Sequence, residues 1–386
     1  MRMRYRYHLN FAGILYLGVT VLVGLAATIR PNNLLVWVFG LLLGMIILSG
    51  IISGFMLLRL KVTRLNPIHG RVDRPLEIRY AVNNRSILFP SFDIQVCELM
   101  NGGLADFIEP SEAWVMHAGP RETVHASAIL VPRRRGRMSF TGIRAMSTFP
   151  FGFIGKSVRV RQEMETLVFP RTVPLRRKSI EALLGRGGMG GRSARTLGHG
   201  VDYFGLREYQ KGDSTRSIAW KRVRPDDDFV VIQRSASAPP RLMLVLDLRR
   251  TTSSLRVDRA AGGSARDLEE QAISLAASLA ETADGMGVEC GLQVAGCDLI
   301  TLPIRGGRRH VDRILAHLAA IDLDGPRKVQ SDVSSPGNTA TVVIHPDRVD
   351  PSIGGEDAWH LLPGSLEDFK DLPADDAEEA PKETAA

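Results

Sequence analysis

At 386 residues the chain is too long for one ordinary domain of roughly 100–200 residues, so more than one folded unit is expected. Hydrophobic residues make up 44%, an ordinary fraction, but they crowd before Arg59, and the average conceals a membrane segment. The net charge of +7 permits a nucleic-acid partner, yet the basic residues cluster beside the apolar runs and in one later stretch, which makes anionic lipid the nearer match. Cys97, Cys290 and Cys297 have neither a disulfide-framework nor a Cys-x-x-Cys spacing, and suit a reducing compartment.

Residues 1–60 read as a transmembrane helical hairpin. From Leu9 to Ile29 and from Leu34 to Leu58 no side chain is charged, and each run exceeds the ~18 residues that mark a candidate span. Only helices satisfy their own backbone in lipid at that length. Arg2, Arg4 and Arg6 precede the first span and Arg59, Lys61 and Arg64 follow the second, while the turn Arg30-Pro31-Asn32-Asn33 carries one arginine. That bias predicts both ends in the cytoplasm. A cleaved signal peptide also has a basic start, but this apolar run is too long and a second follows within four residues. Gly40, Gly44, Gly50 and Gly54 could make a close-packing stripe or reflect the ordinary glycine content of membrane helices.

Residues 61–170 alternate apolar and polar in short runs, such as Leu76 to Val82 and Phe92 to Val96, separated by turn residues such as Asn83-Asn84-Arg85-Ser86. The expectation is a small antiparallel β-sandwich. Arg133 to Arg137 reads as a solvated turn or, if it faces the bilayer, a lipid-headgroup contact. Residues 171–199 turn to arginine and glycine around Gly185 to Gly191 and read as a linker. A phosphate loop would need a lysine followed by serine or threonine after the glycines, which is missing.

Residues 200–370 begin with an aperiodic segment and become α/β after Pro240. The expected elements are a strand over Leu242 to Leu246, a helix over Leu268 to Ala283, and a strand over Val288 to Ala295. A short antiparallel return over Leu299 to Ile304, a helix over His310 to Ile321 and a strand over Ala340 to His345 follow. Such alternation predicts a mostly parallel sheet with helices on both faces. Residues 371–386, rich in alanine, proline and acids, read as a disordered tail.

The most specific stretch is Leu206-Arg207-x-Tyr209, then Gly212-Asp213-x-x-Arg216-x-Ile218-x-Trp220-Lys221. Asp213 and Arg216 are spaced to pair across a helical turn, while Trp220 offers a large apolar surface and Lys221 a pendant charge. Two uses compete: a brace that buries Trp220, and a partner-binding surface presenting Arg207 and Lys221. Trp220 is expected to be the stabilising member. The signature resembles that of bacterial domain-of-unknown-function family number 58, and the two spans, Arg135-Gly136-Arg137 and Phe149-Pro150-Phe151-Gly152 follow the family plan. The resemblance implies a bacterial inner-membrane location, a C-terminal domain similar to von Willebrand factor A domains, and a partnership with MoxR-type AAA+ ATPases.

It also raises a metal question, because von Willebrand A domains often hold Mg²⁺ with an Asp-x-Ser-x-Ser loop. Mg²⁺ prefers oxygen ligands in octahedral geometry. Here the run is Asp247-Leu248-Arg249-Arg250-Thr251, with an arginine at the first hydroxyl position. Asp247, Thr251 and Asp347 are therefore degenerate candidates, and no cofactor is expected. No nucleotide loop, zinc motif or serine-histidine-acid set is recognisable. The expected function is a non-enzymatic, membrane-anchored scaffold or co-chaperone that docks a MoxR-type ATPase, a client protein or both. The alternative is a cell-envelope enzyme or polymer-binding protein with its soluble part outside. Nucleic acid is not an expected partner, and the sequence leaves oligomeric state open.

Overall fold

The computed structural model describes residues 4–30, 32–65, 69–100, 104–186, 197–220, 229–235, 239–257, 264–328, 339–355 and 357–364. Two compact units divide the chain, 1–170 and 171–386.

The first unit starts with a strand, β1 (Arg4–Leu9), followed by helices α1 (Phe11–Ile29) and α2 (Asn33–Leu58). Leu9, expected to open the first span, instead closes β1. The alternating Arg-Tyr-Arg-Tyr-His-Leu run pairs antiparallel with β9 (Ile154–Phe169), with Leu9 opposite Ile154. Asn10 then turns the chain, its Nδ2 donating to the Gly152 carbonyl at 2.9 Å. At ~1.5 Å per residue the 19 and 26 residues of the helices reach about 28 and 39 Å, the first close to and the second beyond a hydrocarbon core of ~30 Å, and both reach the ~17 residues at which spans begin. Tyr16 donates its hydroxyl to the Leu42 carbonyl, and Gly24 leaves the space that the Phe39 ring fills. Gly40, Gly44 and Gly50 face open space, so the glycine stripe does not pack these two helices together. The second apolar run also extends beyond the exposed part of its helix. Ser49, Ser53, Met56 and Leu57 are buried, and Lys156 Nζ donates to the Gly50 carbonyl, so the last turns of α2 are embedded in the β-rich region.

That region contains β2 (Leu60–Arg64), β3 (Gly70–Arg71), β4 (Leu76–Asn84), β5 (Ser91–Glu98), the short α3 (Leu104–Phe107), β6 (Glu112–Ala118), β7 (Thr123–Leu130), β8 (Gly136–Ser147) and β9. One sheet runs β1-β9-β8-β5-β6 with β3 beside β9, and the other β2-β4-β7. They share one core: Val62, Ile78, Tyr80 and Val82 meet Ile94, Val96, Met138, Phe140 and Val158. Inside it Arg64 makes a two-pronged ion pair with Glu98, which also accepts from the Tyr80 hydroxyl at 2.7 Å.

The second unit opens with a difference from expectation. Arg177–Arg186, inside the supposed linker, is helix α4, because Ile180, Leu183 and Leu184 recur at i, i+3 and i+4 and are buried. The glycine run at 187–191 and the acidic tail at 371–386 lie outside the described residues. Strands β10 (Leu197–Glu208) and β11 (Val230–Ser235) pair antiparallel. The α/β part comprises β12 (Arg241–Asp247), α5 (Ala265–Gly285), β13 (Glu289–Ala295), β14 (Leu302–Arg305), α6 (Arg308–Ala320), β15 (Ala340–Ile344) and β16 (Trp359–Leu361). The sheet order is β14-β13-β12-β15-β16, parallel except for β14. Helices α4, α5 and α6 pack as one group, with α5 against β12, β13 and β15. Met243, Val245 and Val343 instead cluster with Ile304 of the neighbouring β14 and with Ile353 and Ala358, so residues of the β15–β16 connection meet this face where a helix was expected.

Candidate functional site

Two places carry the singled-out residues, and the first is the signature segment. Leu206 and Arg207 lie on β10, with Leu206 opposite Ile232 and Arg207 opposite Val231. The chain then turns through Gly212, whose φ of 117° favours glycine, and a single 3-10 turn at Thr215–Ser217. It returns along β11, where Ile218 bridges Val231, Ala219 N donates to the Val230 carbonyl, and Tyr209 N to that of Phe229.

Within this frame Asp213 pairs with Arg207 and not with Arg216. Arg207 Nη1 and Nη2 reach its two carboxylate oxygens at 2.7 and 2.6 Å, and Gln210 N donates to it at 2.9 Å. The Arg207 hydrogen bond, then that of Gln210, hold the Asp213 carboxyl below its ordinary pKa. The helical turn that would align Asp213 with Arg216 does not form, because the 3-10 turn starts only at Thr215. Arg216 is exposed.

Trp220 also departs from expectation. It is 61% exposed, and its ring meets that of Phe229, itself 45% exposed, edge-on at 6.1 Å. Tyr209 meets the same Phe229 at 6.3 Å. The buried members are Ile218 and Ala219, so the brace is aliphatic and the tryptophan is presented. Lys221 lies outside the described residues. Phe229 was not singled out from sequence. Its separation from Trp220 gives no periodic signal; the pairing of Ile218 and Ala219 with the start of β11 brings them together.

The second place is the carboxyl edge of the five-stranded sheet, where the parallel strands β12 and β15 end at Asp247 and Ile344. Two arginines hold the three acids there. Arg249 Nε donates to Asp247 at 3.0 Å and its Nη2 to Asp350 at 2.6 Å, while Arg250 Nη1 donates to Asp347 at 3.0 Å. Thr251 Oγ1 is 3.2 Å from Ser253 Oγ, and its carbonyl accepts from Ser254 Oγ, so the neighbouring hydroxyls close a local turn. Burial would raise the Asp247 pKa, but hydrogen bonds from His345 and Arg249 together hold it below the ordinary value. Asp350 lies at about 2, chiefly through its bond from Ser352.

Beneath these pairs lies a chain that the sequence did not disclose. His345 Nδ1 is 3.1 Å from Asp247 Oδ2, and its Nε2 is 2.9 Å from His360 Nδ1. With Asp247 ionised and both imidazoles neutral, His345 donates through Nδ1 and accepts from His360 through Nε2. Burial, then the neighbouring His345, lowers the His360 pKa. Deeper still, Glu269 accepts from Thr252 at 2.8 Å and from Arg327 at 3.0 Å. A divalent cation at Asp247 and Asp347 would meet two guanidinium groups already bonded to those acids, so the residues present do not fit one. Among the described residues no group of three or more potential metal-ligating side chains comes together.

No curated protein matches the chain. Two solved structures share limited likeness. One is the CARDB domain of a Pyrococcus furiosus protein, 16% identical, with a TM-score of 0.20, covering 28% of this chain and 94% of that domain. The other is a GH20 exo-β-N-acetylglucosaminidase from Vibrio harveyi in complex with N-acetylglucosamine, 10% identical, with a TM-score of 0.17, covering 74% of this chain and 57% of the enzyme. At those scores neither carries an argument about fold or activity. A family model described as "Protein of unknown function DUF58" matches residues 205–342, a stretch that takes in the signature turn, β11, the α/β elements up to β15 and the arginine-paired Asp247. Over those residues the chain matches the DUF58 family.

Proposed function

We propose that this protein is a non-enzymatic, membrane-anchored scaffold whose signature hairpin docks a protein partner. The observation that carries the reading is the exposed pair Trp220 and Phe229 on a hairpin held by the Arg207–Asp213 ion pair. Tryptophan, tyrosine and arginine dominate the energetics of protein interfaces, and an aromatic already held in position loses little entropy on binding. Exposed Arg216 lies one short turn from this pair and adds a charge for orienting a partner. The family resemblance nominates a MoxR-type AAA+ ATPase, alone or with a client, as that partner.

The α/β part is read as von Willebrand factor A-like. In it the acids of the would-be Mg²⁺ loop serve as anchors for Arg249 and Arg250, which supports a metal-free interaction surface. His345 contacts Asp247 and His360 rather than a hydroxyl or thiol, which supports a structural use of the imidazole pair. The anchor reading rests on α1 and α2, which are long and apolar enough to cross a membrane. Strand β1 before α1 pairs with β9 after α2, an arrangement that suits a hairpin with both ends on one side.

The test uses the full chain in nanodiscs and the purified MoxR-type ATPase encoded in the same genome. Wild type should retain the ATPase, and Trp220→Ala and Phe229→Ala should each lose it at least about tenfold, about 1.4 kcal/mol of binding free energy. Undiminished capture by both variants would overturn the docking role.

A further inference from the structure

The loop between β4 and β5 presents Ile87, Leu88 and Phe89 to solvent at 56%, 77% and 55% exposure. Three consecutive large apolar side chains on one tip are costly in water, at roughly 25 cal/mol per Å² of apolar surface. They are not a frayed segment. Asn84, fully buried, donates to the Phe89 carbonyl at 2.9 Å and accepts from Ser86 N at 3.0 Å, while Ser86 Oγ accepts from Phe89 N at 3.0 Å. The fold builds this tip and holds it outward.

Its position follows from strand register. Leu60, the first residue of β2, pairs with Asn84, the last before the loop, and Arg85 N donates to the Arg59 carbonyl at 3.0 Å. On the far side of the loop Ser91 Oγ donates to the Met56 carbonyl of α2 at 3.2 Å. Both ends of the loop are thus tied to the last turn of the second apolar helix. The loop from β8 to β9 reaches the same end: Phe153 stacks on Tyr16 of α1 at 4.1 Å, and half-exposed Phe151 stacks on Phe153. Exposed Arg59, Arg85 and Arg121 stand around the 87–89 tip, with Arg121 N donating to the Ser86 carbonyl at 3.0 Å.

An apolar tip flanked by arginines, fastened to the end of an apolar helix, has the chemistry of the boundary between acyl chains and anionic headgroups. We propose that Ile87, Leu88 and Phe89 insert into the same bilayer leaflet from which α2 emerges, with Arg59, Arg85 and Arg121 against lipid phosphates. The β-rich region is then seated on the membrane instead of swinging below it. This inference rests on the anchor reading of α1 and α2.

The experiment places a nitroxide at Leu88→Cys or Leu22→Cys in the full chain carrying Cys297→Ser, reconstituted in equal parts phosphatidylcholine and phosphatidylglycerol. Collisions with oxygen, enriched in lipid, and with a water-soluble nickel chelate report depth. Leu22, exposed on α1, tests the anchor by itself. Expected is a lipid-type response at both positions, with residue 88 about 5–10 Å below the headgroup surface, as for interfacial segments. A lipid response at 22 with a nickel response at 88 would leave the anchor standing and overturn the seating. Exclusion of both reagents at 88 would assign the tip to a second copy or another protein, and also overturn it. A nickel response at both positions would remove the anchor and the seating together.

Discussion

Arg250 donates from Nη1 to Asp347 Oδ1 at 3.0 Å, and this carboxylate, only 1% exposed, also accepts the Arg256 backbone N–H. An acid at the edge of the sheet is thereby satisfied from within the chain. Replacing Arg250 by alanine leaves a buried charge with a weak backbone partner. Such losses cost ~3–5 kcal/mol for fully buried pairs, and partial exposure of Arg250 should reduce this to about 2 kcal/mol. Urea denaturation of the wild-type and Arg250→Ala proteins measures it.

The same pairing predicts the metal response. Wild type should show no saturable rise in Tm with Mg²⁺, whereas Arg249→Ser with Arg250→Ser, which frees Asp247 and Asp347, should acquire one. A Mg²⁺ shift in the wild-type protein that Asp247→Ala abolishes would refute the metal-free reading.

Stability and docking should separate within the hairpin. Because Trp220 is largely exposed, Trp220→Ala should change stability by less than about 1 kcal/mol, far below the ~3–5 kcal/mol expected of a buried tryptophan. Asp213→Ala should lower Tm more, since Arg207 and Gln210 both bond to that carboxylate. Thermal denaturation beside ATPase capture distinguishes them: a Tm collapse in Trp220→Ala would restore the brace.

Stability should fall in two steps as pH drops. The folded-state pKa of His360 is lowered, so the unfolded chain takes up its proton first, near the ordinary value of about 6.5; stability present above that pH is lost as pH falls through it. Asp350 is lowered to about 2, so its contribution is present above the unfolded value of about 3.9 and disappears as pH falls toward 2. Tm profiles should show His360→Asn flattening the upper step and Asp350→Asn the lower. A profile unchanged by His360→Asn would detach the imidazole pair from pH response.

Topology decides between the scaffold and the envelope-facing alternative. A fluorescent reporter fused after Gly198 should light in the cytoplasm, and alkaline phosphatase at that point should be inactive. The opposite pair of results would place the soluble part outside and favour the envelope reading.

Much of the order of elements was determined by the sequence alone. Uncharged apolar runs marked α1 and α2, alternation marked β4 and β5, and apolar runs of contrasting period marked β12, α5, β13, α6 and β15, because an apolar face all round, one buried sheet face and a helix stripe impose distinct local spacings. Arginine at position 249 was likewise visible as a departure from an Asp-x-Ser-x-Ser loop, and it pairs with Asp247. The tertiary structure alone decided which charges meet and which aromatics show. Asp213 is claimed by Arg207 instead of Arg216, Asp247 joins His345 and His360 from 98 and 113 positions away, and Trp220 points outward beside Phe229. Strand β1 and helix α4 were concealed for the same reason: six residues before a span and ten in an arginine-rich stretch are too short to declare themselves, and form where β9 and α5 supply a surface. Periodicity records what each residue must be buried against on average, but pairing depends on which distant backbone arrives beside it, and that is a property of the assembled fold.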